Sequence, residues 1–155
     1  MPRSADTPDI VVLPPVLVGG SLLIGVLLDL LWPLPLFPWV PARVVGLTLF
    51  VLAGLLAHWA QLAMKRAGTS ILPTRPTLTL VTDGPFRYTR NPLYVAAGGV
   101  YLGLALWVNG LVPFLLYAPV LWVLHWGIVL REERYLANKF GEAYHLYQMR
   151  VPRWV

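Results

Sequence analysis

The chain has 155 residues, 57% of them hydrophobic and 12% charged, with a net charge of +5 and a mean hydropathy of +0.66. A soluble domain carries roughly 25% charged residues, and here the apolar residues run in long blocks, so the composition points to a membrane protein. The absence of cysteine excludes disulfides, Cys–zinc sites and a thiol nucleophile, and it says nothing about redox compartment.

Four blocks approach the roughly 20 residues that cross a bilayer. The first covers about 10–32. It ends in "LLWPLPLF", which has no small-residue cleavage site, so it reads as a retained span rather than a signal peptide. Pro14 and Pro15 start or kink it, and the "GG" at 19–20 predicts close helix packing. Asp29, toward its far end, reads as interfacial. A Pro-rich apolar link, "PLPLFPWVP", leads to the second block at about 42–64. The third covers about 92–108 and the fourth about 110–130, bent by Pro119. The short link "VNG" between these two forces an antiparallel hairpin. Trp32, Trp39 and Trp107 fall near span ends, where interfacial aromatics gather. Beyond the fourth block, Leu136, Phe140, Tyr144 and Tyr147 form the stripe of a surface helix that Pro152 stops. The expected fold is all-α and polytopic. It has about four transmembrane helices plus a C-terminal cytoplasmic amphipathic helix, in one domain over 1–155.

The cations set an orientation. Lys65, Arg66, Arg75, Arg87 and Arg90 lie between the second and third blocks. Arg131, Arg134, Lys139, Arg150 and Arg153 follow the fourth, Arg3 is in the N-terminal tail, and Arg43 falls on the other side. The positive-inside rule makes both termini and the 65–91 connection cytoplasmic, and an even number of spans agrees. Topology therefore accounts for the basic charge, and nucleic acid is a poor partner. No two of the three histidines stand at ligand spacing, so no metal site is expected.

Two polar clusters carry the functional signal. In "RYTRNPLYVA", Asn91 is a favoured N-cap and Pro92 a favoured first helical residue. A helix start there turns its free N–H groups and positive dipole end toward the polar face. Arg87 and Arg90 add charge, and Tyr94 is on the first turn. The alternative is a plain cap flanked by interfacial anchors. The second cluster is "REER", 131–134. Glu132 and Glu133 point about 100° apart on a helix, so one can pair with arginines while the other faces a pocket. The alternative is a solvated salt-bridge cluster. Together the clusters suit a zwitterionic ligand with hydroxyls. "AAGGVYLG" lies inside a span, where small residues permit helix contact rather than phosphate binding. His58 and His125 also lie in spans, where each could bond a neighbouring carbonyl or serve the reaction.

"TLVTDGPFRYTRNPLYVAAGGVYLG", followed by an apolar span and "EERYLANKFGEAYHLYQMRVPRW", resembles the integral-membrane methyltransferases. That superfamily includes isoprenylcysteine carboxyl methyltransferases and phospholipid N-methyltransferases. The likeness covers about 68–154. It implies S-adenosylmethionine as methyl donor, bound at the cytoplasmic face under a C-terminal helical cover. By position it assigns cofactor contacts to Leu78, Leu80, Val81, Gly84, Phe86, Tyr88 and Arg90 in the loop. Asn91, Pro92, Leu93 and Tyr94 contribute from the third span, and Glu132 holds a polar group, with Tyr144 beside it. The acceptor is a lipid-like molecule entering from the bilayer, in what reads as a bacterial plasma membrane.

The Asn-Pro-x-Tyr pattern is similar to the phospholipid enzymes. Carboxyl methyltransferases show His-Pro-x-Tyr and an arginine where this chain has Ile128. An amine acceptor must lose a proton, for which Glu133, His145 and Asp83 are candidates. A carboxylate acceptor needs only an orienting cation, such as Arg131 or Arg87. Other readings are a sterol-reductase-like enzyme and a non-enzymatic membrane subunit.

Overall fold

The computed structural model describes residues 6–72 and 75–155; Arg3 lies outside them. Helix α1 is Pro14–Leu31 and α2 is Trp39–Arg66. A 3-10 turn, Gly84–Arg87, precedes α3, Pro92–Val108. The chain then forms one long rod, Leu111–Phe140. It comprises α4 (Leu111–Leu124), a π-helical turn (His125–Val129) and α5 (Leu130–Phe140). Helix α6, Glu142–Arg150, completes the molecule.

Among the described residues three helices, not four, are long and apolar enough to cross a membrane: Pro14–Leu31, Trp39–Arg66 and Leu111–Phe140. The protein is an all-α, multi-pass integral membrane protein. The expected third span, Pro92–Val108, has 17 residues. At 1.5 Å per residue it reaches about 25 Å, short of the ~30 Å hydrocarbon core. Parity of crossings therefore no longer assigns the two termini to one side. The expected C-terminal amphipathic helix is corrected as well. Its first half is the end of the long rod, and the chain breaks at Gly141, whose φ of +53° favours glycine. Only the nine residues of α6 remain as a separate helix. The predicted stripe still gathers in one cluster across that break, with Tyr144 and Tyr147 packed on Leu136 and Phe140.

Helix α3 packs along α2, while α1 packs on α4 and α3; α1 and α2 scarcely touch. The α2–α3 seam is nearly backbone on backbone. A Cβ on Gly46 would lie 2.6 Å from the Gly103 carbonyl oxygen, and one on Gly103 would lie 2.7 Å from the Phe50 nitrogen. The "AAGGVYLG" run thus serves helix contact. The "GG" at 19–20 does not, because nothing lies within 4 Å of a Cβ at either position.

At one end of the bundle, Asn109 takes the left-handed conformation that closes α3 (φ 61°). Its amide both accepts from Phe37 N and donates to Phe37 O. Asp29, near the same end, is buried within the protein and accepts from Val112 N, 3.4 Å away, at the start of α4. The other end holds the N-terminal segment. The π-helical turn leaves the Gly127 carbonyl to accept from Val11 N at 3.2 Å. Lys139 pairs with Asp6 at 2.6 Å, and Arg131 with Asp9 at 3.4 Å. Direct contact thus joins the N-terminal segment to the rod's C-terminal turns.

Candidate functional site

Pro92 is the first residue of α3 and Asn91 its cap position, as expected, but the Asn91 side chain makes no capping bond. Its amide instead donates to the Arg153 carbonyl at 3.1 Å. Thr89 Oγ1 donates to the same carbonyl at 2.9 Å, and Arg90 N donates to Pro152 O at 3.0 Å. The C-terminal strand is thereby fastened across the start of α3. The tail's own side chain completes the clasp. Arg153 grips Glu133 through Nε (3.0 Å) and Nη2 (2.8 Å), and Arg90 Nη1 stands 3.2 Å from the same carboxylate. Glu133 and Arg90 are almost fully buried here, so each requires the other's charge.

Glu132, one residue earlier, turns away from that clasp. The ~100° step between adjacent helical residues separates the two carboxylates. Glu132 Oε2 accepts from the Tyr94 hydroxyl at 2.6 Å, joining α5 to α3. On α6, burial pushes the Tyr144 phenol up to about 12, with the Glu133 charge adding to it. Burial raises Tyr147 too, and its hydroxyl donates to the Phe86 carbonyl at 2.7 Å. Both phenols are therefore neutral donors at physiological pH.

These groups surround a cavity of about 460 Å³, within the 300–1,000 Å³ usual for small-molecule sites. Its polar end carries Arg90, Asn91, Glu132, Glu133, Tyr144 and Tyr147. Its walls toward the gap are α1 (Pro14, Val18, Gly19) and α2 (Ala57, Gln61, Met64), over a floor of Ala96, Ala97 and Val100 from α3.

Of the residues singled out from sequence, Leu80, Val81, Phe86, Arg90, Asn91, Pro92, Leu93, Tyr94, Glu132, Glu133 and Tyr144 line this cavity. Leu78 and Tyr88 are exposed outside it. Gly84 packs under Trp59, with a φ of +61°. His145 lies on the outer face of α6, with Nδ1 3.3 Å from Gln148 Oε1. Arg131 faces the N-terminal segment and borders a separate depression with Thr7 and Asp9. Asp83, His58 and His125 are also not among the lining residues, and His125 lies against Trp154. Sequence reasoning missed the α2 wall and the Arg153 clasp. Ala57, Gln61 and Met64 at i, i+4, i+7 could have shown the wall; the clasp had no local signal.

The family model described as phospholipid methyltransferase matches residues 41–143. The chain belongs to the phospholipid methyltransferase family. The match includes α2 from Pro41 onward, α3, the whole rod and both carboxylates, and ends one residue before Tyr144. The chain is also similar to protein-S-isoprenylcysteine O-methyltransferase of Schizosaccharomyces pombe, at 38% identity over 73 residues. That stretch is 47% of this chain and 31% of the yeast protein, so the likeness covers about a third of the relative's length.

Proposed function

We propose that this protein is a membrane methyltransferase. It binds S-adenosylmethionine at the polar end of the cavity and methylates the amine of an amphipathic lipid, a phosphatidylethanolamine-type headgroup. Family membership supports the reaction class. The charge lining the cavity carries the choice of acceptor. Among the described lining residues the charged groups are Arg90, Glu132 and Glu133, and Arg90 is already engaged by Glu133. A carboxylate acceptor would have to compete with Glu133 for Arg90, whose Nε and Nη1 make no hydrogen bond among the described residues, since Arg131 turns to Asp9 and Arg87 is outside the lining. Glu132, held by a neutral phenol and not by a cation, favours positively charged ligands instead.

The residues present fit the cofactor. Glu132 and Asn91 offer acceptors for hydroxyl or ammonium groups, and Leu80, Val81, Phe86 and Leu93 offer an apolar bed for a flat ring. When bound, the cofactor would supply a methyl group on a sulfonium: the amine lone pair forms the N–C bond, the C–S electron pair stays on sulfur, and the amine proton passes to water in the cavity. The chain's own contribution is positioning, which supplies much of the barrier reduction when reactants arrive from different phases. Tyr144 and Tyr147 roof the polar end, the Glu133–Arg153 pair ties the tail behind that roof to α5, and the bonds from Arg90 and Asn91 tie it to the start of α3. We read this end as cytoplasmic from its density of cations, and the membrane as a bacterial inner membrane. The likeness to the yeast isoprenylcysteine O-methyltransferase favours a second reading, methylation of a prenylated cysteine carboxylate.

The test has two parts. Calorimetric titration of S-adenosylhomocysteine should give saturable binding that weakens at least about tenfold in Glu132→Gln, the scale of one lost charged hydrogen bond. Labelled methyl should then enter phosphatidylethanolamine in nanodiscs and not a prenylcysteine acid; the reverse would establish the carboxylate reading.

A further inference from the structure

We propose that Gln61 is a specificity-determining residue for the acceptor, receiving a hydrogen bond from the N–H of the lipid amine where the gap between α1 and α2 meets the polar end of the cavity. This rests on the amine reading above. Helices α1 and α2 scarcely touch, yet both line the cavity, so the space between them connects the site with the bilayer. On the α2 side the lining stripe is Ala57, Gln61, Met64. Gln61 is its polar member.

The α2–α3 register gives the depth of Gln61. A Cβ on Gly99 would meet the Ala53 methyl at 2.8 Å, so these residues face each other. The helices are antiparallel, so eight residues further along α2 brings Gln61 opposite Asn91, at the start of α3. The amide is thus level with the polar end of the cavity while standing on the wall that faces α1. It is exposed to the cavity and the gap, and it makes no hydrogen bond with any described residue.

The chemistry selects the ligand. Gln61 is neutral, so it neither repels an amine nor neutralises it. Its oxygen accepts from N–H, which orients the nitrogen lone pair away from α2 and toward the cavity. A neutral primary amine has N–H bonds to give; a neutral dimethylated amine has none. The contact therefore acts on the early methylations and not on the last.

The experiment uses the full chain in nanodiscs of stated composition, with Gln61→Leu and Gln61→Asn beside wild type. KM is measured for phosphatidylethanolamine and for its N,N-dimethyl derivative, and S-adenosylhomocysteine affinity is measured by calorimetry. In Gln61→Leu we expect KM for the unmethylated lipid to rise about tenfold, the scale of one hydrogen bond. KM for the dimethyl lipid and homocysteine-nucleoside affinity should stay within about twofold of wild type. Gln61→Asn keeps the amide on a shorter arm and should fall between, which serves if the leucine variant does not fold. Equal effects on both lipids, or none on either, would mean a solvated amide only and would overturn the proposal. If wild type binds S-adenosylhomocysteine but methylates no amine lipid, the amine reading itself fails, and this inference with it. If wild type methylates phosphatidylethanolamine and Gln61→Leu does so equally well, Gln61 alone is wrong.

Discussion

Helix α2 has two contrasting sides. Toward α3 it meets backbone at contact distance, with Gly46 and Gly103 leaving no room for a methyl. Toward α1 it meets almost nothing, and Gly19 across the gap borders the cavity. Glycine in an apolar helix is therefore not one signal. On the tight side it allows two helices to pack without side chains between them. On the open side it keeps a wall low. The difference assigns stability to one face of α2 and access to the other.

The largest expected effect breaks the tight side. Gly103→Leu drives a side chain into the Phe50 backbone. Overpacking of this kind costs about 3 kcal/mol where backbone must shift, so thermal unfolding in detergent should show a sharply lower midpoint. Gly20→Leu, made as its counterpart, meets open space and should leave the midpoint unchanged. Equal losses in both would mean that the open side is closed in the membrane.

The polar end of the open side is held by charge instead of packing, which the next variant sharpens. Glu133→Gln leaves Arg90 buried beside a neutral amide and releases Arg153. Breaking a buried pair costs about 3–5 kcal/mol, and the partial exposure of Arg153 brings this toward the lower figure. Denaturant unfolding checks the stability, and proteolysis near the C-terminus checks whether the tail has detached from α3. An unchanged tail would show that the backbone bonds to Arg90 and Asn91 suffice.

The smallest effect concerns the strap at the same end. The hydrogen bond from Lys139 holds the Asp6 carboxyl below its ordinary 3.8, with Tyr135 helping. A carboxyl depressed in the folded state contributes stability that is complete above its ordinary value and is lost as pH falls through the lower, folded one. Asp6→Asn should therefore differ slightly from wild type at pH 7, and the gap between the two melting curves should shrink as pH falls below 3.8. The group is exposed, so that gap should be small.

Local features were legible without coordinates. The start of α3 at Pro92 follows from first-turn chemistry, although the Asn91 side chain bonds the Arg153 carbonyl instead of capping the helix. The divergence of Glu132 and Glu133 follows from the 100° helical step alone. The stripe from Leu136 to Tyr147 did gather, though across a break at Gly141. What failed was the count of spans, because four apolar blocks differ too little in length to be separated until the 17-residue extent of α3 is seen.

Composition and periodicity thus determined that the chain is helical, multi-pass, and polar at the start of α3 and the end of the rod. These are properties of neighbouring residues, set by hydrocarbon thickness, helical period and capping chemistry. Only the tertiary structure decided which carboxylate Arg153 and Arg90 would take, that Asp29 would sit against the start of α4, and that α1 and α2 would stand apart with Gln61 between them. Those outcomes depend on helix register across tens of residues, and register follows from where glycine lets two backbones approach, which no local pattern encodes.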